Sequence, residues 1–366
     1  MRVIVTGGGT GGHIYPALAI ADKFKEMDPE TEILYVGNEE GIEKDVVPKT
    51  GYPMELVDAR WLDKSSPWQL IKTGARVAKG VLEANRVMRK FKPDVVIGTG
   101  GYVCFPVIIA GKRFGAKTFL HEQNAFPGLA NRTLEKYVNK VFLGFSDAAK
   151  YFKDPSKMVE AGNPVRKSFF SLNKTEARKK LGFPQDDFIV FSFGGSLGAE
   201  KINEVAFELM QVVNGHEKMR MVFGTGKWYY DSIIKKAEER GIVLKDNILI
   251  KDYIDDMENY LAASDLIISR AGALSVAETT VCGRACILIP SPNVTGNHQY
   301  YNAKAVADRG GAILIEEKDL TSEGLIKEVM HLKNNPEIAE KMGRAARACA
   351  PMKALDIIYD EIQAAL

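Results

Sequence analysis

Gly7-Gly8-Gly9-Thr10-Gly11-Gly12-His13 lies between a short apolar run, Arg2 to Thr6, and an amphipathic stretch that begins near Ile14. This order predicts a strand, a glycine loop and a helix. Glycine permits positive φ and the close approach of a ligand, and the first N–H groups of a helix have no partner within it. We therefore predict an anion site, typically for phosphate, at this corner. A related loop, Gly194 to Ala199, follows the apolar run Phe188 to Phe193.

The composition is that of an ordinary globular protein. The chain has 366 residues, of which 46% are hydrophobic and 26% are charged, and this length favours two domains. A net charge of +2 gives no general sign of nucleic-acid binding. The four cysteines form no CxxC pair, which indicates reduced thiols. No apolar run approaches the roughly 18 residues of a spanning helix, so we expect a cytoplasmic protein without a transmembrane segment.

Short β-rich runs alternate with helical stretches along the whole chain, a pattern typical of parallel sheets with crossover helices. Two further predicted strands of the first half end in polar or glycine-rich corners, Thr99 to Tyr102 and His121 to Asn124. Ligands of open α/β sheets bind at such carboxyl ends. The stretch Gly162 to Arg166 carries both Gly and Pro and indicates a domain boundary. We predict a doubly wound sheet on each side of it.

The second half carries polar groups suited to a sugar nucleotide. Ser275 and Glu278 fit a capping box, but Glu278 also suits a ribose diol beside a helix start that holds diphosphate. Gln299 offers an amide either to sugar hydroxyls or to surface capping. The sequence has no Asp-x-Asp pair and no metal-ligand cluster. Helix N-termini and N–H groups must therefore balance the charge of a departing nucleoside diphosphate.

His13 is the leading candidate for a general base, because imidazole accepts a proton near neutral pH. The same corner also permits a second interpretation. Gly7, Gly9 and Gly12 form GxGxxG, and Glu39 stands with Glu40 beyond the second predicted strand. This pattern fits a nicotinamide-dependent oxidoreductase, which stays open as an alternative.

A long helical stretch between Ser66 and Phe91 has one basic face that follows Trp68 and is interrupted by Glu83. A solvated helix surface and a patch for anionic lipid both explain this pattern. The basic residues recur at intervals of three and four positions and are Lys72, Arg76, Lys79, Arg86 and Lys90.

Seven motifs in order resemble those of the MurG family, the bacterial peptidoglycan N-acetylglucosaminyltransferases of glycosyltransferase family 28. Their joint occurrence in both halves is far more specific than any one of them. The motifs are Gly8 to His13, Gly100 to Tyr102, His121 to Asn124, Gly162 to Arg166, Gly194 to Ala199, Gly272 to Glu278, and Gln299 to Ala303.

The resemblance implies a GT-B fold of the α/β class, with two Rossmann-like doubly wound parallel-sheet domains that face across a cleft. It places an acceptor and membrane-facing domain at residues 1–164 and a donor domain at 165–350. Residues 351–366 are expected to form a helix that returns to the first domain.

The implied reaction is an inverting transfer of N-acetylglucosamine from UDP-N-acetylglucosamine to the 4-hydroxyl of the muramyl sugar of lipid I. The product is lipid II, which peptidoglycan synthesis requires for cell-wall growth, cell shape and division. We expect a metal-independent transfer without a cofactor, and the near-neutral net charge predicts no nucleic-acid partner. Because lipid I is linked to undecaprenyl diphosphate, the resemblance implies a peripheral protein on the cytoplasmic face of the cell membrane, docked through Trp68 and Lys72 to Lys90. Another GT-B transferase or epimerase that acts on a UDP-sugar stays open as an alternative.

The resemblance also assigns roles to residues. Glu278 is expected to hold the ribose, and Ile254 is expected to lie beside the uracil. One departure is Val103 to Pro106, where small residues are expected, so the local shape of the acceptor pocket differs. The expected donor contacts are Thr10, Gly11, Gly12, Asn124, Arg166, Ser196, Ile254, Ala273, Leu274, Ser275, Val276, Ala277, Glu278 and Gln299, and the acceptor-side residues are Tyr102, His121, Glu122 and Asn131.

Overall fold

A computed structural model describes residues 1–59, 67–195 and 197–366, with the side chains of residues 67–74 and 295 left out of the description. The chain divides into two compact units. Unit 1 comprises Met1–Val165 and Lys353–Leu366, and unit 2 comprises Arg166–Met352. Each unit is built on one parallel sheet, so the predicted fold class of two Rossmann-like α/β units is confirmed.

Within the described residues, unit 1 has a seven-stranded sheet of order β3-β2-β1-β4-β5-β6-β7, and unit 2 has a six-stranded sheet of order β10-β9-β8-β11-β12-β13. All neighbouring strands pair in parallel. The strands are β1 (Arg2–Thr6), β2 (Glu32–Asn38), β3 (Met54–Val57), β4 (Val95–Gly98), β5 (Lys117–Glu122), β6 (Lys140–Leu143), β7 (Met158–Glu160), β8 (Phe188–Phe193), β9 (Met219–Gly224), β10 (Ile248–Lys251), β11 (Leu266–Ser269), β12 (Ala285–Leu288) and β13 (Ile313–Leu314).

Crossover helices join the strands, as a parallel sheet requires. None of the helices in the described part of the chain is long and apolar enough to cross a membrane. The helices are α1 (Gly11–Met27), α2 (Glu43–Val46), α3 (Pro67–Phe91), α4 (Cys104–Phe114), α5 (Leu129–Leu134), α6 (Lys174–Leu181), α7 (Glu200–Asn214), α8 (Tyr230–Glu239), α9 (Met257–Ala263), α10 (Ala273–Cys282), α11 (His298–Ala307), α12 (Ser322–Asn334), α13 (Pro336–Ala348) and α14 (Ala354–Gln363).

The central strands of both sheets are apolar on both faces because helices cover each face. In unit 1, Val3 and Val5 pack under α1 on one face of β1, and Ile4 packs into the cluster of the other face. Helix α14 completes the first of these layers, where Ile358 and Ile362 are buried. Burial of such side chains contributes about 1.5–3 kcal/mol each, which holds the C-terminal helix in unit 1.

Unit 2 contains a buried ion pair that fixes the first helix of the unit to the sheet. Arg178 on α6 is 1% exposed, and its guanidinium donates to Asp265 at 2.6 Å and to the Ala263 carbonyl at 2.9 Å. Asp265 also accepts the backbone N–H of Ile189 at 2.7 Å. These bonds connect helix α6 to strand β8 and to the segment that precedes β11. The loops that carry the predicted site residues of unit 2 extend from this framework.

Candidate functional site

The loop between β1 and α1 is held by hydrogen bonds within unit 1. The Gly8 N–H donates to the Gly100 carbonyl at 3.2 Å. The Gly9 N–H donates to the carboxylate of Glu43 at 3.0 Å. These two donors are therefore not available to an anion. The predicted phosphate site rests instead on the N–H groups that open α1 at Gly11 and Gly12, where no side chain caps the helix, and it stays a prediction.

His13 lies in the first turn of α1, where it is half-buried. Its Nδ1 lies 2.9 Å from the Gly8 carbonyl oxygen. Since a carbonyl oxygen only accepts, Nδ1 carries the proton, and in the neutral ring Nε2 keeps the lone pair that a general base requires. The Thr99 hydroxyl donates to the His13 carbonyl at 2.7 Å and ties the helix start to the end of β4.

Gly100 stands directly against the imidazole. Its φ is +116°, and a Cβ atom there would lie 2.6 Å from Cδ2 and 2.8 Å from Nε2 of His13. Both the backbone conformation and the lack of space therefore require glycine. The glycine corners after β1 and β4 are distant in sequence, but both contact the ring of His13 at the carboxyl edge of the sheet.

His121, at the end of β5, is fully buried and has a partner on each ring nitrogen. Nε2 donates to the Gly162 carbonyl at 3.0 Å, and Nδ1 accepts from the Gln123 amide at 3.0 Å. Burial lowers the pKa of His121 to about 4, although the bond to Gly162 acts in the opposite direction. The ring is therefore neutral, and it supports the loop instead of offering a free base.

Glu122 fixes the loop that follows β5. Its buried carboxylate accepts the N–H groups of Asn124 at 2.9 Å and Gly128 at 3.1 Å, and the side-chain amide of Asn131 at 2.9 Å. Asn131 is itself only 3% exposed. These residues therefore shape the edge that presents Asn124. Tyr102, by contrast, is 51% exposed after β4.

Unit 2 has open space beside its own glycine loop. A recess of about 160 Å³ brings the predicted residues Ile254 and Ser275 together beside Gly195. A second recess, of about 700 Å³, lies against Gly194 and Gly198 and includes the predicted Gln299. Ser196, at the centre of this loop, lies outside the described residues.

Helix α10 presents its N-terminus at the carboxyl edge of the unit 2 sheet. The helix begins at Ala273, its N-cap is Gly272, and no side chain caps it. The capping-box interpretation is therefore wrong, because Ser275 lies inside the first turn instead of before it. Val276 is the first residue whose N–H bonds back to the Gly272 carbonyl. The preceding N–H groups have no partner within the helix, as an anion site requires.

Three charged groups lie near this helix. Burial raises the pKa of Glu278 to about 7, Arg166 opposes this shift, and the negative charge of Glu258 adds to it. A guanidinium nitrogen of Arg166 lies 3.4 Å from the Glu258 carboxylate. Arg166 is exposed, with its guanidinium over the ring of Phe169. The ionisation of Glu278 therefore depends on both charged neighbours.

Gln299, in the first turn of α11, is oriented by the backbone. Its Oε1 accepts the N–H of Ser291 at 2.9 Å, which leaves its Nε2 group as the donor for a ligand. Arg270 lines the same recess, donates to the carbonyls of Ile289 and Pro290 and pairs with Glu317. An amide with a fixed orientation suits a sugar hydroxyl.

Two residues that contact the predicted site were not identified from sequence, Glu43 and Glu258. The oxidoreductase alternative drew attention to Glu39 and Glu40 after β2, which are exposed, and not to Glu43. Glu258 gave no signal because an ordinary helix surface also carries Glu. Within the described ranges, no group of three or more His, Cys, Asp or Glu residues is arranged to hold a metal ion.

Comparisons with known proteins identify the family. The profile described as "Glycosyltransferase family 28 N-terminal domain" matches residues 3–143, and "Glycosyltransferase family 28 C-terminal domain" matches residues 189–358. The chain belongs to glycosyltransferase family 28. The UDP-N-acetylglucosamine--N-acetylmuramyl-(pentapeptide) pyrophosphoryl-undecaprenol N-acetylglucosamine transferase of Alkaliphilus oremlandii is 42% identical over 366 residues, with 100% of this chain and 99% of that relative covered. The resemblance to the MurG family is thus confirmed.

Solved structures agree with this membership of family 28. MurG of Acinetobacter baumannii superposes with a TM-score of 0.78 at 25% identity, with 99% of each chain covered. A putative UDP-N-acetylglucosamine 2-epimerase from Listeria monocytogenes reaches a TM-score of 0.70 at 18% identity, with 100% of this chain and 96% of that chain covered. The second likeness shows the fold alone.

Proposed function

We propose that this chain transfers N-acetylglucosamine from UDP-N-acetylglucosamine to the 4-hydroxyl of the muramyl sugar of lipid I, giving lipid II in peptidoglycan synthesis. The observation that carries the proposal is His13, a histidine with a fixed tautomer at the sheet edge of a family 28 chain. Its Nε2 lone pair removes the hydroxyl proton as the oxygen attacks C1. The bond from C1 to the diphosphate breaks, UDP leaves, and the anomeric centre inverts.

Unit 2 holds the donor in this proposal. The small recess between Ile254 and Ser275 takes the uracil, and Glu278 accepts hydrogen bonds from the ribose hydroxyls. The open N–H groups at the start of α10 and the exposed guanidinium of Arg166 balance the diphosphate charge. Gln299 donates to the sugar through Nε2. Thr10, Gly11, Gly12, Asn124 and Ser196 complete the proposed donor contacts.

Unit 1 holds the acceptor and the base. Tyr102 contacts the acceptor, and His121, Glu122 and Asn131 stabilise the loop beside it. The alternative of an oxidoreductase finds less support, because Glu43 takes the Gly9 N–H that a dinucleotide diphosphate would need. An epimerase that acts on a UDP-sugar is separated from the transferase by its independence of an acceptor.

The deciding experiment measures UDP release from UDP-N-acetylglucosamine with and without a soluble lipid I analogue. We expect release only when the analogue is present. Release without the analogue would indicate an epimerase or a hydrolase instead. Protection of the protein from thermal unfolding by UDP, compared with NADH, tests the oxidoreductase alternative independently of turnover.

We also propose that the protein is peripheral on the cytoplasmic face of the cell membrane and docks through α3, from Trp68 through Lys90. The structure reduces the charge available for docking. Lys79 lies 3.4 Å from both Asp58 and Glu83, and Lys90 lies 2.8 Å from Glu55. Arg86 is exposed on the same helix, next in space to the apolar and exposed Leu82. An apolar group beside arginine is the combination that anionic interfaces favour.

Vesicle sedimentation tests this docking surface. We expect binding to vesicles that contain anionic lipid, weaker binding to neutral vesicles, and a loss of binding with Arg86→Glu because each basic group contributes about 1 kcal/mol near such a surface. Arg344→Glu is the matched control, since it reverses one exposed charge in unit 2. Equal binding of both variants and the parent protein would contradict the proposed surface.

A further inference from the structure

Glu43 has a buried carboxylate to which the proposed reaction assigns no role. It is 0% exposed and opens the short helix α2. Its Oε2 accepts the N–H of Gly9 at 3.0 Å, and its Oε1 accepts the N–H of Asn38 at 3.0 Å. A Cβ atom on Gly8 would lie 2.4 Å from Oε1, so the glycine loop leaves room for this carboxylate.

The Gly9 N–H and the Gly8 C=O belong to the same peptide group. The N–H end bonds to Glu43, and the C=O end accepts from Nδ1 of His13 at 2.9 Å. A carboxylate on the N–H side pushes electron density toward the carbonyl oxygen, because hydrogen bonds in a chain polarise one another. The carbonyl oxygen therefore becomes a better acceptor for the imidazole proton.

We propose that Glu43 is a positioning residue for the transfer reaction, which acts on His13 through the Gly8–Gly9 peptide. The series of hydrogen bonds from Glu43 through this peptide to His13 holds the imidazole in the tautomer with Nε2 unprotonated. It also stabilises the imidazolium that forms when Nε2 accepts a proton. It does the work of a carboxylate bonded directly to a catalytic histidine, with one peptide group between the two. This inference rests on the proposed role of His13 as the base.

The surroundings make Glu43 the source of negative charge behind this loop. From β2, the Tyr35 phenol donates to the Gly7 carbonyl, and from α4, the Cys104 thiol lies in the same buried region. Burial raises the pKa of Cys104 to about 12 and that of Tyr35 further, so both are neutral at physiological pH. The ring of His13 faces the Thr10 hydroxyl and the backbone of Gly8 and Gly100.

The primary test is Glu43→Gln, assayed for UDP release with the lipid I analogue. Glutamine accepts through one oxygen only, so one of the two N–H groups loses its partner and the charge disappears. We expect kcat to fall about 10- to 100-fold, the size of one lost hydrogen bond to a charged group, with little change in the KM for the donor. We also expect the acidic limb of the kcat/KM profile to move to lower pH, because an imidazolium without this support is less stable.

Glu135→Gln is the matched control. Glu135 is a carboxylate of the same unit, 5% exposed, that accepts the N–H groups of Lys153 at 2.6 Å and Asp154 at 2.7 Å without a link to His13. Its variant should leave kcat and the pH profile unchanged. If Glu43→Gln and Glu135→Gln behaved alike, Glu43 would have a structural role only.

Two further measurements separate this inference from the role of His13 as base. In the parent protein, ¹⁵N NMR should find His13 with hydrogen on Nδ1, and the opposite tautomer would overturn the inference even if Glu43→Gln did not fold. In a His13→Ala background, Glu43→Gln should cause no additional loss of turnover, since the two residues act as one unit. Full activity of His13→Ala alone would instead contradict the proposed base, while the tautomer measurement would still test the hydrogen-bond chain.

Discussion

The two glycine corners of the molecule have similar sequences but different structures. In unit 1, the N–H groups of Gly8 and Gly9 bond to Gly100 and Glu43, and the loop closes around His13. In unit 2, the loop from Gly194 lies beside recesses of about 160 and 700 Å³. A glycine-rich turn after a strand therefore either closes around a side chain or borders an open recess, and the surrounding residues decide which.

From this difference we infer that the two corners have different roles in one transfer reaction. In the unit 1 corner, the bonded N–H groups of Gly8 and Gly9 hold the loop that fixes the tautomer of His13, and proton transfer requires such a fixed lone pair. The corner with open space and a nearby unpartnered helix N-terminus suits the charge of a diphosphate. The predictions below test each side of this comparison in order of expected effect.

The largest effect is expected from His13→Ala. Removal of a general base lowers turnover by about 10²- to 10⁴-fold. UDP affinity should change little, because the side chain of His13 is not among the proposed donor contacts. The measurements are kcat with the lipid I analogue and the UDP dissociation constant by calorimetry. His331→Ala, an exposed histidine on α12, serves as the control. Near-normal turnover of His13→Ala would remove the assignment of the base.

The second prediction concerns Gly100, which lies against the ring of His13. Gly100→Ala places a Cβ atom against the ring, so we expect kcat to fall about 10-fold or more, as a misplaced catalytic group does. Gly115→Ala is a close control, since Gly115 also has a positive φ, +101°, but no atom within 4 Å of the added Cβ.

Both variants adopt an unfavourable backbone conformation that costs about 1–2 kcal/mol, and thermal melts should register this cost for each. Only Gly100→Ala should also lose turnover. If the two variants lost activity equally, backbone strain and not the contact with His13 would explain the requirement for glycine at residue 100.

The third prediction concerns Glu278 in unit 2 and the pH dependence of UDP binding. Because burial raises the pKa of Glu278 to about 7, the carboxylate form that accepts two ribose hydrogen bonds prevails only above that pH. UDP should therefore bind more tightly at pH 8.5 than at pH 6, by about 10-fold, the size of a charge-assisted hydrogen bond. Glu278→Gln should bind weakly at both values and abolish the pH dependence in calorimetric titrations.

Glu258→Gln sharpens this test, because the negative charge of Glu258 contributes to the raised pKa of Glu278. Its removal should shift the midpoint of the pH dependence to lower values while tight binding at pH 8.5 persists. A midpoint that stayed in place, or that moved upward, would show that the pH dependence arises from another group.

Sequence alone predicted most of the fold, because the central strands are short apolar runs followed by polar corners. It missed β3, Met54–Val57, an edge strand in which only Val57 is buried, so its composition lacks the signal of a central strand. It predicted a basic face on α3 but not the pairing of Lys90 with Glu55, since ion pairs between distant segments depend on tertiary structure.

Candidate site residues could be proposed from sequence where chemistry follows residue type. His13 and Glu278 stood out because few side chains suit a base or a ribose diol at strand ends. Ile254 came from the family resemblance alone, because a backbone contact leaves no trace in residue type. Glu43 was missed because Glu39, Glu40 and Glu43 look alike in sequence, and only the fold turns one of them inward.

The smallest expected effect is that of chelation, which tests what the open corner does. The sequence has no Asp-x-Asp pair, so the charge of departing UDP is expected to fall on the N-terminus of α10 and on Arg166. Turnover should then be unchanged in excess EDTA, measured as UDP release with the lipid I analogue. Arg166→Met should lower kcat in the same assay, because one of the two groups that balance the charge is lost. A loss of activity in EDTA that added Mg²⁺ restored would instead assign that charge to a metal ion, and the open corner of unit 2 would then be a binding surface without a part in the departure of UDP.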